Sequence, residues 1–169
     1  MVILRSLLLA AALVGCAEKP DMRPLNLQLN ELVDDCRSSY PDARWVSLDE
    51  WQSVATDADA TLLVDVRTPA EQAVSHIPGS LTVEAFERLP AAQKQAATVL
   101  AYCTVGCRSG KYTLALREQG IRAHNLSGGV LSWALAGREF EAPDGTPTLR
   151  VHTYARRWAV VPEGYEAVF

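Results

Sequence analysis

A chain of 169 residues with 49% hydrophobic and 21% charged content is long enough to enclose one core and has ordinary globular composition. Its net charge of −4, with no basic run, argues against a nucleic-acid surface. Four cysteines, Cys16, Cys36, Cys103 and Cys107, are too few and too unevenly placed for a disulfide scaffold, and the three histidines have no spacing that suggests zinc, so neither a metal nor a cofactor is expected.

Residues 1–15 read as a targeting segment: Arg5 is followed by the apolar run Leu7 to Val14, which is too short to span a bilayer. Leu13-Val14-Gly15-Cys16 resembles the lipobox of bacterial lipoproteins, which implies cleavage before Cys16 and lipid attachment to it. The mature chain is then expected at a membrane surface in the bacterial envelope, facing the oxidising periplasm. Ala17 in place of an aspartate favours the outer membrane.

Residues 16–44 form a tether and a short helix, on which Leu29, Leu32, Val33 and Cys36 share one face. Cys36 is read there as a packing residue, able to pair with a cysteine of the loop after Tyr102 only if this helix docks near it. From Trp45 strands and helices alternate. Trp45-Val46-Ser47 is a strand, and Ser47 or Asp49 caps a helix through Trp51 and Val54. Leu62 to Val66 is a continuous apolar strand of the kind buried on both faces. Pro69 opens a short helix, Leu81-Thr82-Val83 is a strand, and residues 84–96 are helical with a break at Pro90. Thr98 to Tyr102 is a strand, Lys111 to Gln119 a helix stopped by Gly120, and Ala123 to Leu126 a strand. Gly128-Gly129 turns into a last helix that ends at Gly137. This order predicts one α/β domain over residues 45–137 with a mostly parallel sheet, whose sites lie at the carboxyl ends of its strands.

Cys103 sits at such an end. The turn Thr104-Val105-Gly106-Cys107-Arg108-Ser109-Gly110 must deliver the chain into a helix start, where backbone N–H groups lack intrahelical partners and attract an anion. Arg108 adds a full positive charge. A thiol in this position is a candidate nucleophile rather than a small buried hydrophobe.

Residues 45–137 resemble a single-domain rhodanese. The matching stretches are Asp65-Val66-Arg67 with Glu71, His76-Ile77-Pro78-Gly79, Cys103 to Ser109, and Leu126-Ser127-Gly128-Gly129 with Trp133; Ser75 and Gln72 depart from the pattern. The resemblance implies a five-stranded parallel sheet flanked by helices on both faces and a persulfide-forming Cys103. It implies sulfur transfer from thiosulfate or a persulfide to a thiol or cyanide. In that chemistry the N–H groups of Thr104, Val105, Gly106, Cys107 and Ser109 form a nest for the sulfur anion. Arg108 either joins them or pins the loop through a carboxylate such as Glu71. Asp65 is expected to bond the backbone near the loop, with Arg67 and Glu71 in support. Four residues separate Cys103 from Arg108, one fewer than in related cell-cycle phosphatases, and Tyr102 replaces the histidine that precedes their cysteine, which argues against phosphatase activity.

Cys107 is either a small residue in a tight turn or a resolving thiol for Cys103. The latter defines an alternative function, thiol–disulfide or polysulfide redox chemistry; a second alternative is a lipid-anchored binding module without catalysis. His76 is read as a buttress of the Pro78-Gly79 turn. The extension over residues 138–169 begins as a loop. Leu149, Val151 and Thr153 then alternate as in a strand, whereas Tyr154, Trp158 and Val161 fit a helical face. Arg150, Arg156 and Arg157 either cover the site, meet lipid headgroups or form a solvated face, the last being the default.

Overall fold

A computed structural model describes residues 21–54 and 60–169, with no side chains described for 52–54. The targeting segment and Cys16 lie outside the described residues. In chain order the elements are α1 (Leu25–Ser39), β1 (Trp45–Val46), α2 (Leu48–Val54), β2 (Thr61–Asp65), α3 (Pro69–Gln72), β3 (Leu81–Thr82), α4 (Val83–Glu87), α5 (Ala91–Ala96) and β4 (Thr98–Tyr102). They continue with α6 (Cys107–Glu118), β5 (Arg122–Leu126), α7 (Gly129–Leu135), β6 (Phe140–Glu141), β7 (Pro147–Thr148), β8 (Arg150–His152), a 3₁₀ turn (Arg156–Trp158) and β9 (Glu166–Val168).

Five strands form one parallel sheet in the order β1-β5-β4-β2-β3, which is the fold expected from the strand–helix alternation. All of β4 is buried, so it carries apolar side chains in both directions. Val99 packs with Phe86 of α4 and Leu116 of α6. Its neighbour Leu100 and then Tyr102 pack on the opposite face with Val130 and Ala134 of α7, Phe140 and Val151. A third cluster joins Leu29, Val33 and Cys36 of α1 to Val105, Leu131 and Val160. It brings the N-terminal helix and the C-terminal extension to the loop after β4.

Two helix starts carry reciprocal side-chain caps. Ser47 and Glu50 bond each other's backbone N–H groups at the start of α2, and Thr68 and Glu71 do the same at α3. The sixth helix departs from the sequence reading, because it begins at Cys107 rather than Lys111. Its cap is Gly106 at φ +119°, a left-handed turn open to glycine, and Gly106 lies so close to Trp45 that a Cβ would fall 2.4 Å from the ring. Cys107, Arg108 and Ser109 are therefore its first turn, with N–H groups free of intrahelical partners.

Beyond the sheet, His76 pairs with Glu141 through both backbones, and its ring lies 3.2 Å from the Glu141 carboxylate. Ser75, where the family pattern has glycine, donates its hydroxyl to the Arg150 carbonyl at 2.6 Å. Both bonds fasten the extension to the turn after α3. Among the described residues no helix is long and apolar enough to cross a membrane.

Candidate active site

The loop after β4 is shaped by the helix that follows β5. The N–H groups of Val130, Leu131 and Gly128 donate to the carbonyls of Cys103, Thr104 and Val105 at 3.0, 3.4 and 3.1 Å. This approach requires Gly129, where an added Cβ would lie 2.1 Å from the Cys103 carbonyl oxygen. In a trans peptide the C=O and the next N–H point opposite ways. Holding three successive carbonyls toward α7 therefore turns the N–H groups of Thr104, Val105 and Gly106 to the other side of the loop. There the Gly106 N–H meets the Cys103 Sγ at 3.2 Å.

Cys103 is a free thiol, 1% exposed, at the end of β4. The Ser109 hydroxyl lies 3.4 Å from its sulfur and donates to the Asn125 Oδ1 at 2.6 Å. Asn125 in turn donates from Nδ2 to the Gly106 carbonyl at 2.9 Å, which fixes the far end of the loop to β5. A hydroxyl has one proton, so an anion on Cys103 competes with Asn125 for it.

Arg108 grips Glu71 with two parallel bonds, Nη1 to Oε2 at 2.6 Å and Nη2 to Oε1 at 2.7 Å, and Nη2 also reaches the Thr104 hydroxyl at 3.0 Å. The same Glu71 Oε2 accepts from the Thr68 N–H and hydroxyl. Burial pushes the Glu71 carboxyl up, but the Arg108 and Thr68 bonds outweigh it and hold the group at about 2. The bonds to Glu71 raise Arg108 against its own desolvation. One carboxylate thus caps α3 and anchors the start of α6.

Asp65 and Arg67 form a second, fully buried pair, bidentate at 2.7–3.2 Å, and Arg67 also donates to the Ser75 carbonyl. Tyr102 donates its hydroxyl to Asp65 at 2.9 Å. Asp65 does close the strand end, but the backbone it bonds is the Arg67 N–H at 3.0 Å rather than that of the catalytic loop, which it meets only through the Tyr102 hydroxyl. Arg67 and Asp65 support the neighbouring strand end and do not touch Cys103.

These features coincide with a family match. Residues 48–136, more than half of the chain, match the rhodanese-like domain. The chain belongs to the rhodanese-like family. A sulfurtransferase of Allochromatium vinosum is 38% identical to this rhodanese-like chain over 93 residues, covering 53% of it and 86% of the relative. A tRNA uridine(34) hydroxylase of Shouchella clausii is 29% identical over 124 residues, covering 68% of the chain but 38% of the relative. The fold is shared with a thiosulfate sulfurtransferase of Pseudomonas aeruginosa at a TM-score of 0.51 and 22% identity, covering 73% of this chain and 24% of that one. The chain thus spans most of the first relative and well under half of the others.

One bond bears on both open cysteine readings. Cys107 is not placed to resolve Cys103, because it is bonded to Cys36, with Cα atoms 4.7 Å apart. Cys36 is therefore not simply a packing residue on α1. The bond forms because α1 lies against α6 and presents Cys36 to its first turn.

Three residues at the site escaped the sequence reading. Asn125 had one signal, a polar side chain inside an otherwise buried strand end. The others are Tyr154 and Trp158 of the extension, which roof a cavity of about 140 Å³ with Cys103, Thr104, Val105 and Arg108 below them. Among the described residues no cluster of three or more His, Cys, Asp or Glu side chains is placed to hold a metal.

Proposed function

We propose that the protein is a sulfurtransferase that moves a sulfane sulfur from thiosulfate or a persulfide to a thiol or cyanide through a persulfide on Cys103. The Cys103 thiolate attacks the outer sulfur of the donor; a new S–S bond forms, the donor's bond to that sulfur breaks, and the remainder leaves with the electron pair. An acceptor thiolate or cyanide then attacks the terminal sulfur and returns Cys103 as a thiolate. No general acid is needed, because both leaving groups depart as stable anions.

The observation that carries this reading is the Gly106 N–H on the Cys103 sulfur at 3.2 Å, in a loop whose Cys103, Thr104 and Val105 carbonyls are taken by the start of α7. Donors for an anion are in place before reaction, so none has to reorganise as charge passes to the outer sulfur. Arg108 acts in this scheme by holding the loop to Glu71. The redox alternative through Cys103 and Cys107 has no support in this geometry, since Cys107 is spoken for by Cys36.

The test is mass spectrometry of the full chain after exposure to thiosulfate or an alkyl persulfide. Wild type gains one sulfur, lost again to cyanide, and Cys103→Ser gains none. A wild-type chain that takes up no sulfur from either donor leaves only the binding-module reading.

The location belongs to the same proposal. Lipid on Cys16 holds the protein at the envelope, facing the periplasm, with the outer membrane favoured. The Cys36–Cys107 disulfide supports this reading, because such bonds persist in oxidising compartments. Cys16→Ala is expected to move the protein from the membrane fraction to the soluble one.

A further inference from the structure

The cavity over Cys103 is walled by residues outside the family segment. Tyr154 and Trp158 stack with ring centroids 4.9 Å apart, and the Tyr154 ring covers the Arg108 guanidinium at 5.3 Å. Tyr154 holds a left-handed backbone at φ +70°, a conformation that costs a non-glycine residue on the order of 1 kcal/mol or more. Its N–H is secured by the His152 Nδ1 at 3.0 Å. The segment is therefore held in a strained shape that keeps an aromatic ring, itself half exposed, above the loop.

The charge inventory points the same way. Arg108 is the one cation among the residues lining the cavity, and both of its terminal nitrogens are bonded to Glu71 while its face is covered by Tyr154. Thr104 and Val105, the adjacent loop positions, carry no charge. A sulfonate placed here loses water and finds Arg108 already engaged by the Glu71 carboxylate. An apolar group meets two aromatic rings and Val105, in a space close to the ~150 Å³ that takes one benzene ring in an apolar cavity.

We propose that Tyr154 and Trp158 form a subsite for the apolar organic group of the sulfur donor, so that the preferred donor is an organic persulfide R–S–SH with an aryl or branched alkyl R. This rests on the sulfurtransferase reading above and narrows it. The terminal sulfur enters the N–H cup, and R lies in the aromatic slot. Cys103–S⁻ attacks that sulfur, giving Cys103–S–SH and releasing R–S⁻, with no net oxidation or reduction.

The experiment is single-turnover sulfur loading of the full chain from benzyl persulfide, methyl persulfide and thiosulfate, read by mass. Wild type is expected to load from benzyl persulfide about tenfold or more faster than from methyl persulfide, with thiosulfate slowest. In Tyr154→Ala and Trp158→Ala the benzyl-to-methyl ratio falls toward one, while Tyr154→Phe keeps it. Because the readout is a ratio within one variant, partial loss of folded protein cancels. Equal loading from both persulfides by wild type, an unchanged ratio in the alanine variants, or thiosulfate as the fastest donor overturns the subsite. Failure to load from any of the three overturns the sulfurtransferase reading instead.

Discussion

Residues 45–137 and the segments on either side of them hold the same loop by different means. Inside the family segment the grip is polar and backbone-based: three carbonyls on α7, Asn125 on Gly106, and Glu71 on Arg108. From outside, α1 contributes a disulfide and an apolar face, and the extension contributes two stacked rings. Directional bonds fix where the donors point, whereas the covalent and apolar contacts set how firmly the site is closed and what fits above it. The first set serves the chemistry and the second its surroundings.

The sharpest way to break this division is Gly129→Ala. The new methyl must displace the Cys103 carbonyl 2.1 Å away, at a residue already at φ +45°. A loss of roughly 4 kcal/mol or more is expected in chemical denaturation, and any folded remainder should load sulfur poorly. Normal loading at wild-type stability would show that α7 does not shape the loop.

Next in size is the outer clamp. Replacing Cys36 and Cys107 together with alanine opens a covalent loop spanning 71 residues of sequence and should cost about 2–4 kcal/mol. If this pair controls loading while leaving stability unchanged, the division above is misplaced.

A smaller effect is expected at Glu71. Its folded carboxyl sits at about 2, below the ~4.3 of an unfolded glutamate. The stabilisation it provides is therefore complete above the unfolded value and is lost as pH falls from there toward about 2. Glu71→Gln should cost about 2 kcal/mol near neutrality and nearly nothing at the acid end, as measured by denaturation midpoints across pH. A constant penalty at every pH would mean that the charge on Glu71 is not what anchors Arg108.

The sheet was legible in the sequence because its central strands are short apolar runs between turn residues. Leu62 to Val66 and Thr98 to Tyr102 read as strands, within one residue of those observed, and Pro90 marked the break between α4 and α5. The start of α6 was not legible. Gly106-Cys107-Arg108-Ser109-Gly110 has loop composition and no capping side chain, and it becomes helical through contacts with β5 and α7. Cys36 and Cys107 stand 71 residues apart, so their pairing follows from the docking of α1 and from no local pattern. The i, i+4 spacing of Tyr154 and Trp158 suggested a helical face. The positive φ of Tyr154 limits the helix there to a single 3₁₀ turn, and the two rings stack on each other over the loop.

The closure of Arg108 on Glu71 also bears on how the site responds to its medium. With that guanidinium pinned by its own carboxylate, a sulfur anion at Cys103 faces oriented peptide groups and a positive charge fixed in place rather than a mobile one. Fixed dipoles in direct contact are hardly screened by dissolved ions, whose influence acts over a Debye length of about 8–10 Å at ordinary ionic strengths. Retention of the sulfur should therefore depend only weakly on the ionic strength of the medium.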